Sequence, residues 1–211
     1  MQRREFLKNS MALGLTGLLL TEQGDCLGRL MRPKGNTAGQ STGAVPIRPP
    51  GALPEQEFLA RCIRCMRCAD NCPNNAIVTL DKSYGRALRF TPAIKPRRQA
   101  CMLCNKLSGD HLKCTLACPT GALQRIHKQV DEICAKVKMG TAHIDTALCY
   151  SYNNWSCGTC YRACPLPGKA MTLGLWERPE VNPDHCIGCG ACERICIRYP
   201  QAIRVKPRGS T

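Results

Sequence analysis

Aromatic side chains are scarce in this chain, making up 5% of its 211 residues. That excludes a conventional large core, because each buried aromatic would remove roughly 150–250 Å² from water. Acidic residues are also few: fifteen Asp and Glu stand against thirty Lys and Arg, a formal charge of +15. No recognition module accompanies that charge, so it does not point to nucleic acid. No Gly-x-Gly-x-x-Gly fingerprint is present, which argues against a nicotinamide or flavin dinucleotide within the chain. The N-terminal apolar run, Met11 to Leu20, is shorter than the about 20 residues a spanning helix needs.

Cysteine is what the chain has in excess. Sixteen of eighteen fall into four blocks. The first is Cys62-x2-Cys65-x2-Cys68-x3-Cys72-Pro73, and the last is Cys186-x2-Cys189-x2-Cys192-x3-Cys196. Between them lie two stretched versions, Cys101-x2-Cys104-x9-Cys114-x3-Cys118-Pro119 and Cys149-x7-Cys157-x2-Cys160-x3-Cys164-Pro165. The compact form is the bacterial ferredoxin run. Three close thiolates wrap one [4Fe–4S] cluster, and the fourth reaches a neighbouring one. Four blocks imply four [4Fe–4S] clusters, with these sixteen cysteines as iron ligands and no catalytic residue. After each block comes a small turn, then Ala76-Ile77, Ala122-Leu123, Ala170-Met171 or Ala202-Ile203. That is an internal repeat.

Other readings of the cysteines fit less well. Structural zinc takes two separated pairs of ligands, often mixing Cys and His. A two-pair site would strand one thiolate of each close set, and His111, His127, His143 and His185 share no block position. Disulfides explain the repeated spacing poorly. A radical enzyme using S-adenosylmethionine would show a lone Cys-x3-Cys-x2-Cys triplet. Cys26 and Cys134 fall outside the blocks and are read as non-ligands, with Cys134 as a small packed apolar residue.

An oxidised cluster with four thiolates carries about −2, so four clusters lower the net charge from +15 to roughly +7. The remaining positive charge concentrates in Arg86 to Lys106 and Arg198 to Arg208. It reads either as solvated surface or as a docking patch for an acidic partner or anionic lipid headgroups. The clusters stand in for the missing core, so the iron-free chain is expected to be largely unfolded.

Residues 1–21 resemble a twin-arginine export signal: Arg3-Arg4-Glu5-Phe6-Leu7-Lys8, then the short apolar run. No clear small-x-small cleavage site follows, so an uncleaved, weakly inserted anchor stays open. This route carries folded proteins, which suits clusters inserted before export. The expected location is the periplasm. Residues 22–54, rich in Pro, Gly, Ser and Thr, read as a tether or extended surface strap. Residues 55–205 form the four-cluster domain, and 206–211 read as a frayed tail. Within the domain Pro54 starts a helix, with Glu55 and Glu57 at its positive end and Phe58 and Leu59 toward the core. Ile77–Leu80 and Ala87–Phe90 read as a strand pair. Gln129–Lys138 reads as a helix and His143–Asp145 as a strand. Trp176 is expected against a cluster. The fold class is α+β, a loop-rich, ferredoxin-like polyferredoxin of two pseudo-symmetric dicluster units.

With these blocks and flanks in view, the chain resembles the NapG/MauM group of periplasmic ferredoxin-type proteins over most of residues 48–208. The resemblance rests on Arg48-Pro49-Pro50-Gly51-Ala52, the first block, Cys118-Pro119-Thr120-Gly121-Ala122-Leu123 and Met139-Gly140. It also rests on Cys157-Gly158-Thr159-Cys160-Tyr161-Arg162-Ala163-Cys164-Pro165 and Cys186-Ile187-Gly188-Cys189-Gly190-Ala191-Cys192. It implies a quinol-dehydrogenase component, peripheral to the membrane surface. Such a component relays electrons from a membrane-embedded, quinol-oxidising polyferredoxin to a periplasmic reductase of the nitrate reductase type, or to cytochrome c. A methylamine-utilisation role and an electron-transfer subunit of a molybdenum oxidoreductase complex remain alternatives. If neighbouring blocks exchange ligands, Cys118 joins the first triplet and Cys72 the second, while Cys196 joins the third and Cys164 the fourth. A nested exchange, first block with fourth and second with third, is the rival.

Overall fold

The computed structural model describes residues 45–105 and 107–208. The expected signal, most of the expected tether, Cys26 and residues 209–211 lie outside the described residues. No described helix is long and apolar enough to cross a membrane.

The described chain opens as a buried strap. Ile47 bridges antiparallel to Ile94, whose N–H donates to the Ile47 carbonyl at 2.8 Å, and Arg48 is only 7% exposed. The Arg48 guanidinium donates to Thr91 Oγ1 and the Pro92 carbonyl at 2.8 and 2.7 Å, and to both Glu55 carboxylate oxygens. It also lies over the Phe58 ring, 4.6 Å from its centroid. Its charge is thus paired and four of its five donors are filled, the condition for burying a guanidinium. Gly51 turns the strap at φ +74°, where a Cβ would stand 2.5 Å from the Gln124 carbonyl oxygen. The expected tether or extended surface strap, residues 22–54, is buried at residues 46–51, because Arg48 and Gly51 fasten them to the cluster domain.

Helix α1, Glu55–Arg61, starts after Pro54 with Glu55 and Glu57 in its first turn and Arg61 in its last, all favourable to the helix dipole. Phe58 is fully buried and Leu59 packs against the core. Four helices of four or five residues follow: α2 (Arg67–Asp70), α3 (Lys113–Leu116), α5 (Thr159–Arg162) and α6 (Ala191–Ile195), with α4 (Val130–Lys136) between α3 and α5. The short four carry Cys68, Cys114, Cys160 and Cys192, the third cysteine of each block. The x3 spacing is then about one helical turn, which drops Cys72, Cys118, Cys164 and Cys196 just past the helix end.

The strands form three antiparallel pairs. β1 (Ile77–Thr79) pairs with β2 (Pro92–Ile94), β3 (Gly140–Ile144) with β6 (Ile203–Pro207), and β4 (Met171–Leu173) with β5 (Pro179–Val181). All eight residues of the repeated Ala-plus-aliphatic pairs are buried. Helix α4 covers most of the expected Gln129–Lys138, and β3 begins earlier than the expected His143.

Three expectations need correction. The partner of β1 is not Ala87–Phe90. Residues 85–91 form turns, Arg89 N to Gly85 O and Thr91 N to Leu88 O, and Phe90 takes φ +63°. Arg48 grips Thr91 and Pro92, so pairing begins there. The expected tail at 206–211 is strand as far as Pro207, because Gly140 and Thr141 pair with Pro207 and Lys206. Trp176 does not pack inward. It is 50% exposed and sits at φ +59° beside Leu175, which is 75% exposed.

Candidate cluster sites

The sixteen block cysteines line four small cavities. Cys62, Cys65, Cys68 and Cys118 meet around one, walled by Phe58, Ile63, Met66, Pro92 and Leu123. Cys72, Cys101, Cys104 and Cys114 surround the second with Pro50, Ile77, Ile94 and Leu112. Cys164, Cys186, Cys189 and Cys192 surround another with Ala142, Leu166, Met171 and Val205. Cys149, Cys157, Cys160 and Cys196 surround the last of these with Ile144, Tyr150, Pro179 and Ile203. Each block places three thiols in one cavity and its fourth in the adjacent block's cavity. That is the neighbouring exchange, not the nested one. Cys134 lines none of the four; it packs half-buried against the core from α4.

The donor set suits an iron–sulfide core. Four thiols face each cavity among apolar walls, and several sulfurs already accept hydrogen bonds. Ala76 N donates to Cys72 Sγ at 3.4 Å and Leu123 N to Cys118 Sγ at 3.5 Å. The Thr120 hydroxyl lies 3.8 Å from Cys118 Sγ, and the Thr159 hydroxyl 3.3 Å from Cys157 Sγ. Such bonds stabilise negative charge on sulfur. These threonines carried no signal in the block pattern. Among the described residues no three His, Cys, Asp or Glu side chains gather at single-ion range; each quartet is spread around a volume.

The electrostatics of the thiols point the same way. Burial, reinforced by neighbouring thiols, pushes Cys68 and Cys189 up to about 12. It does the same to Cys101, and raises Cys160 to about 11. Cys114 and Cys192 are raised further, again chiefly by burial. Cys118 goes the other way. Burial pulls its thiol upward, but donors from Leu123, Thr120 and Ala122 outweigh that and lower it. Thiols held this high ionise only against compensating positive charge, which a ferric–ferrous core provides.

The quartets stand in a row. Charge on Cys68 acts on Cys114, linking the first and second quartets. Charge on Cys189 acts on Cys101, whose N–H also donates to the Cys189 carbonyl at 2.9 Å. Charge on Cys160 acts on Cys192. The halves are clamped where Arg97 Nη1 donates to the carbonyls of Arg194 and Cys196 at 2.9 and 3.0 Å. Gly190 allows the fit there: a Cβ on it would lie 2.5 Å from Pro96 Cβ.

A 4Fe-4S dicluster domain matches residues 61–122, and a second matches residues 142–197. Each spans two neighbouring blocks, as the thiol grouping does. A methylamine utilization ferredoxin-type protein MauM from Methylorubrum extorquens is 35% identical over 98% of this chain and 89% of its own length. MauM from Paracoccus denitrificans is 37% identical over 77% of this chain and 71% of its own. The ferredoxin-type protein NapG from Escherichia coli is 33% identical, also over 77% and 71%.

Proposed function

The chain belongs to the ferredoxin-type family that includes MauM and NapG, and is an iron–sulfur electron-transfer protein with two dicluster domains. From that premise we propose that it carries four [4Fe–4S] clusters and relays electrons along them. The electrons pass from a membrane-embedded quinol-oxidising polyferredoxin to a periplasmic reductase or cytochrome c. The observation that supports this most is the grouping of sixteen thiols, four to a cavity, into four small apolar cavities.

Bound there, a [4Fe–4S] group supplies one-electron redox chemistry. The protein's own part is to hold, tune and insulate. Cys62, Cys65, Cys68 and Cys118 would hold the first cluster, and Cys72, Cys101, Cys104 and Cys114 the second. Cys164, Cys186, Cys189 and Cys192 would hold one cluster of the other half, and Cys149, Cys157, Cys160 and Cys196 its mate. Leu123 N and Ala76 N donate to sulfur, which favours the more negative cluster state. Phe58, Leu112 and Met171 keep water from the cavity walls. No side chain need act as acid, base or nucleophile. On this reading the adjoining quartets (first, second, Cys186 and Cys149) form the electron path. The two halves are read as pseudo-symmetric repeats of one loop-rich unit, each with two short cysteine-bearing helices. Placement in the periplasm rests on the twin-arginine pattern.

The test is iron and sulfide analysis of the isolated protein, EPR of its reduced form, and affinity isolation from membranes. About sixteen iron atoms per chain and a co-isolated quinol-oxidising membrane protein are expected. Zinc in place of iron, or a stable catalytic molybdenum subunit as sole companion, would overturn the relay.

A further inference from the structure

Resting on the electron-transfer reading, we infer that the arginine-flanked face over the first quartet is the docking surface for an acidic redox protein. Cys65 is the one exposed cysteine among the sixteen block thiols. Ile63 lines the same cavity and is itself 64% exposed, so one side chain separates that cavity from the surface. The loop at 85–90 lies alongside, fastened where Arg64 Nη2 donates to the Ala87 carbonyl at 3.0 Å. Phe90 stands on it, 49% exposed, two residues before the cavity-lining Pro92.

Arginines flank this apolar spot along the chain. Arg61, Arg64 and Arg67 come from the first block's flanks, and Arg86 and Arg89 from the loop; all five are exposed. Among the described residues none of the five makes an ion pair. Arg89 lies over the Phe90 ring at 4.3 Å. An apolar centre over the electron port, flanked by unpaired positive charge, complements a partner with an acidic rim. Such complementarity chiefly raises the encounter rate. A lipid surface would satisfy the charge, but it would cover the port with material that carries no redox group. The far end of the row differs. There Ile197 lines the cavity and is 65% exposed, with Trp155 and Tyr199 exposed nearby in sequence. Of the arginines there, Arg162 is paired with Glu177 at 2.7 Å, and Arg198, which lines the cavity, is half-buried and turned onto Tyr150, 4.7 Å from its ring centroid.

The experiment uses the full-length holoprotein, reduced with dithionite and mixed by stopped flow with acidic cytochrome b5 or basic cytochrome c. Cytochrome b5 should be reduced at a rate that falls steeply with salt. The double variant Arg67→Glu with Arg86→Glu should slow that reaction about tenfold at low salt and flatten its salt dependence. Lys169→Glu with Arg204→Glu changes net charge equally at exposed sites in the other half, and should leave the rate within about twofold. Both variants must hold the parent's iron content. Equal slowing by both pairs, or none, overturns the docking site. So does a Arg67→Glu, Arg86→Glu protein that reduces cytochrome b5 normally but no longer binds phosphatidylglycerol vesicles, which would assign the face to lipid. Failure of the parent protein to reduce either cytochrome overturns the electron-transfer reading with it; reduction without charge dependence overturns the docking site alone.

Discussion

Gly188 and Gly190 show how one block can differ from another in backbone strain. They occupy the places that Arg64 and Met66 hold in the first block. All four sit at positive φ: +71°, +83°, +58° and +56°. Side chains in that region cost of order 1–3 kcal/mol and persist only where the surroundings impose them. The first block tolerates them because its turn is open to solvent. Gly188 has no such freedom: a Cβ would lie 2.3 Å from Gly140 N. Gly188→Ala should therefore destabilise the holoprotein by more than about 2 kcal/mol and lower its iron content. Arg64→Ala, at the equivalent place, should keep its iron; equal iron loss in both, measured on purified protein, would refute the steric account. The crowding at Gly188 carries no local sequence signal, since Gly140 is distant in the chain.

At the scale of elements, the unit is a cysteine turn followed by a helix of one turn. Local spacing makes this unit legible, because x3 after the third cysteine is helical periodicity. Which cavity the fourth thiol enters depends on how two such units pack. Paired substitutions test that directly. Cys65→Ser with Cys118→Ser should remove about four iron atoms, one cluster. Cys104→Ser with Cys118→Ser should remove about eight. Ligand sharing within a block would reverse the two results. The strand error at Ala87–Phe90 has a similar origin. The apolar residues are adjacent in sequence, but Arg48, more than forty residues away from Pro92, grips the carbonyl and Thr91 hydroxyl that set where pairing begins.

For the whole molecule, cavities take the place of an aromatic core. Phe58 is the one aromatic among the largest fully buried side chains of the described residues; Leu80, Leu112, Ile126 and Val137 are the others of comparable bulk. With so little apolar bulk, stability depends on what the thiols hold. We propose that the chain is exported after its clusters are loaded, by the twin-arginine route that Arg3 and Arg4 suggest. Replacing both with Lys should leave the holoprotein in the cytoplasm, as cell fractionation would show; undiminished periplasmic protein would refute the route. Charge is a property of this scale too. Cluster charge offsets part of the formal +15, so what matters for encounter is where the unpaired arginines gather.

The sequence by itself determined the cofactor chemistry and the family, because thiolate spacing is local and few other ligand sets tolerate it. It also marked the helix after Pro54 and the buried Ala-plus-aliphatic pairs. Tertiary structure alone decided the burial of the Arg48 strap, the register of β1 on β2, the exposure of Trp176 and the order of the quartets. Each of these depends on contacts between residues far apart in the chain, such as Arg48 with Pro92 or Cys101 with Cys189, and local pattern carries no information about which distant groups will meet.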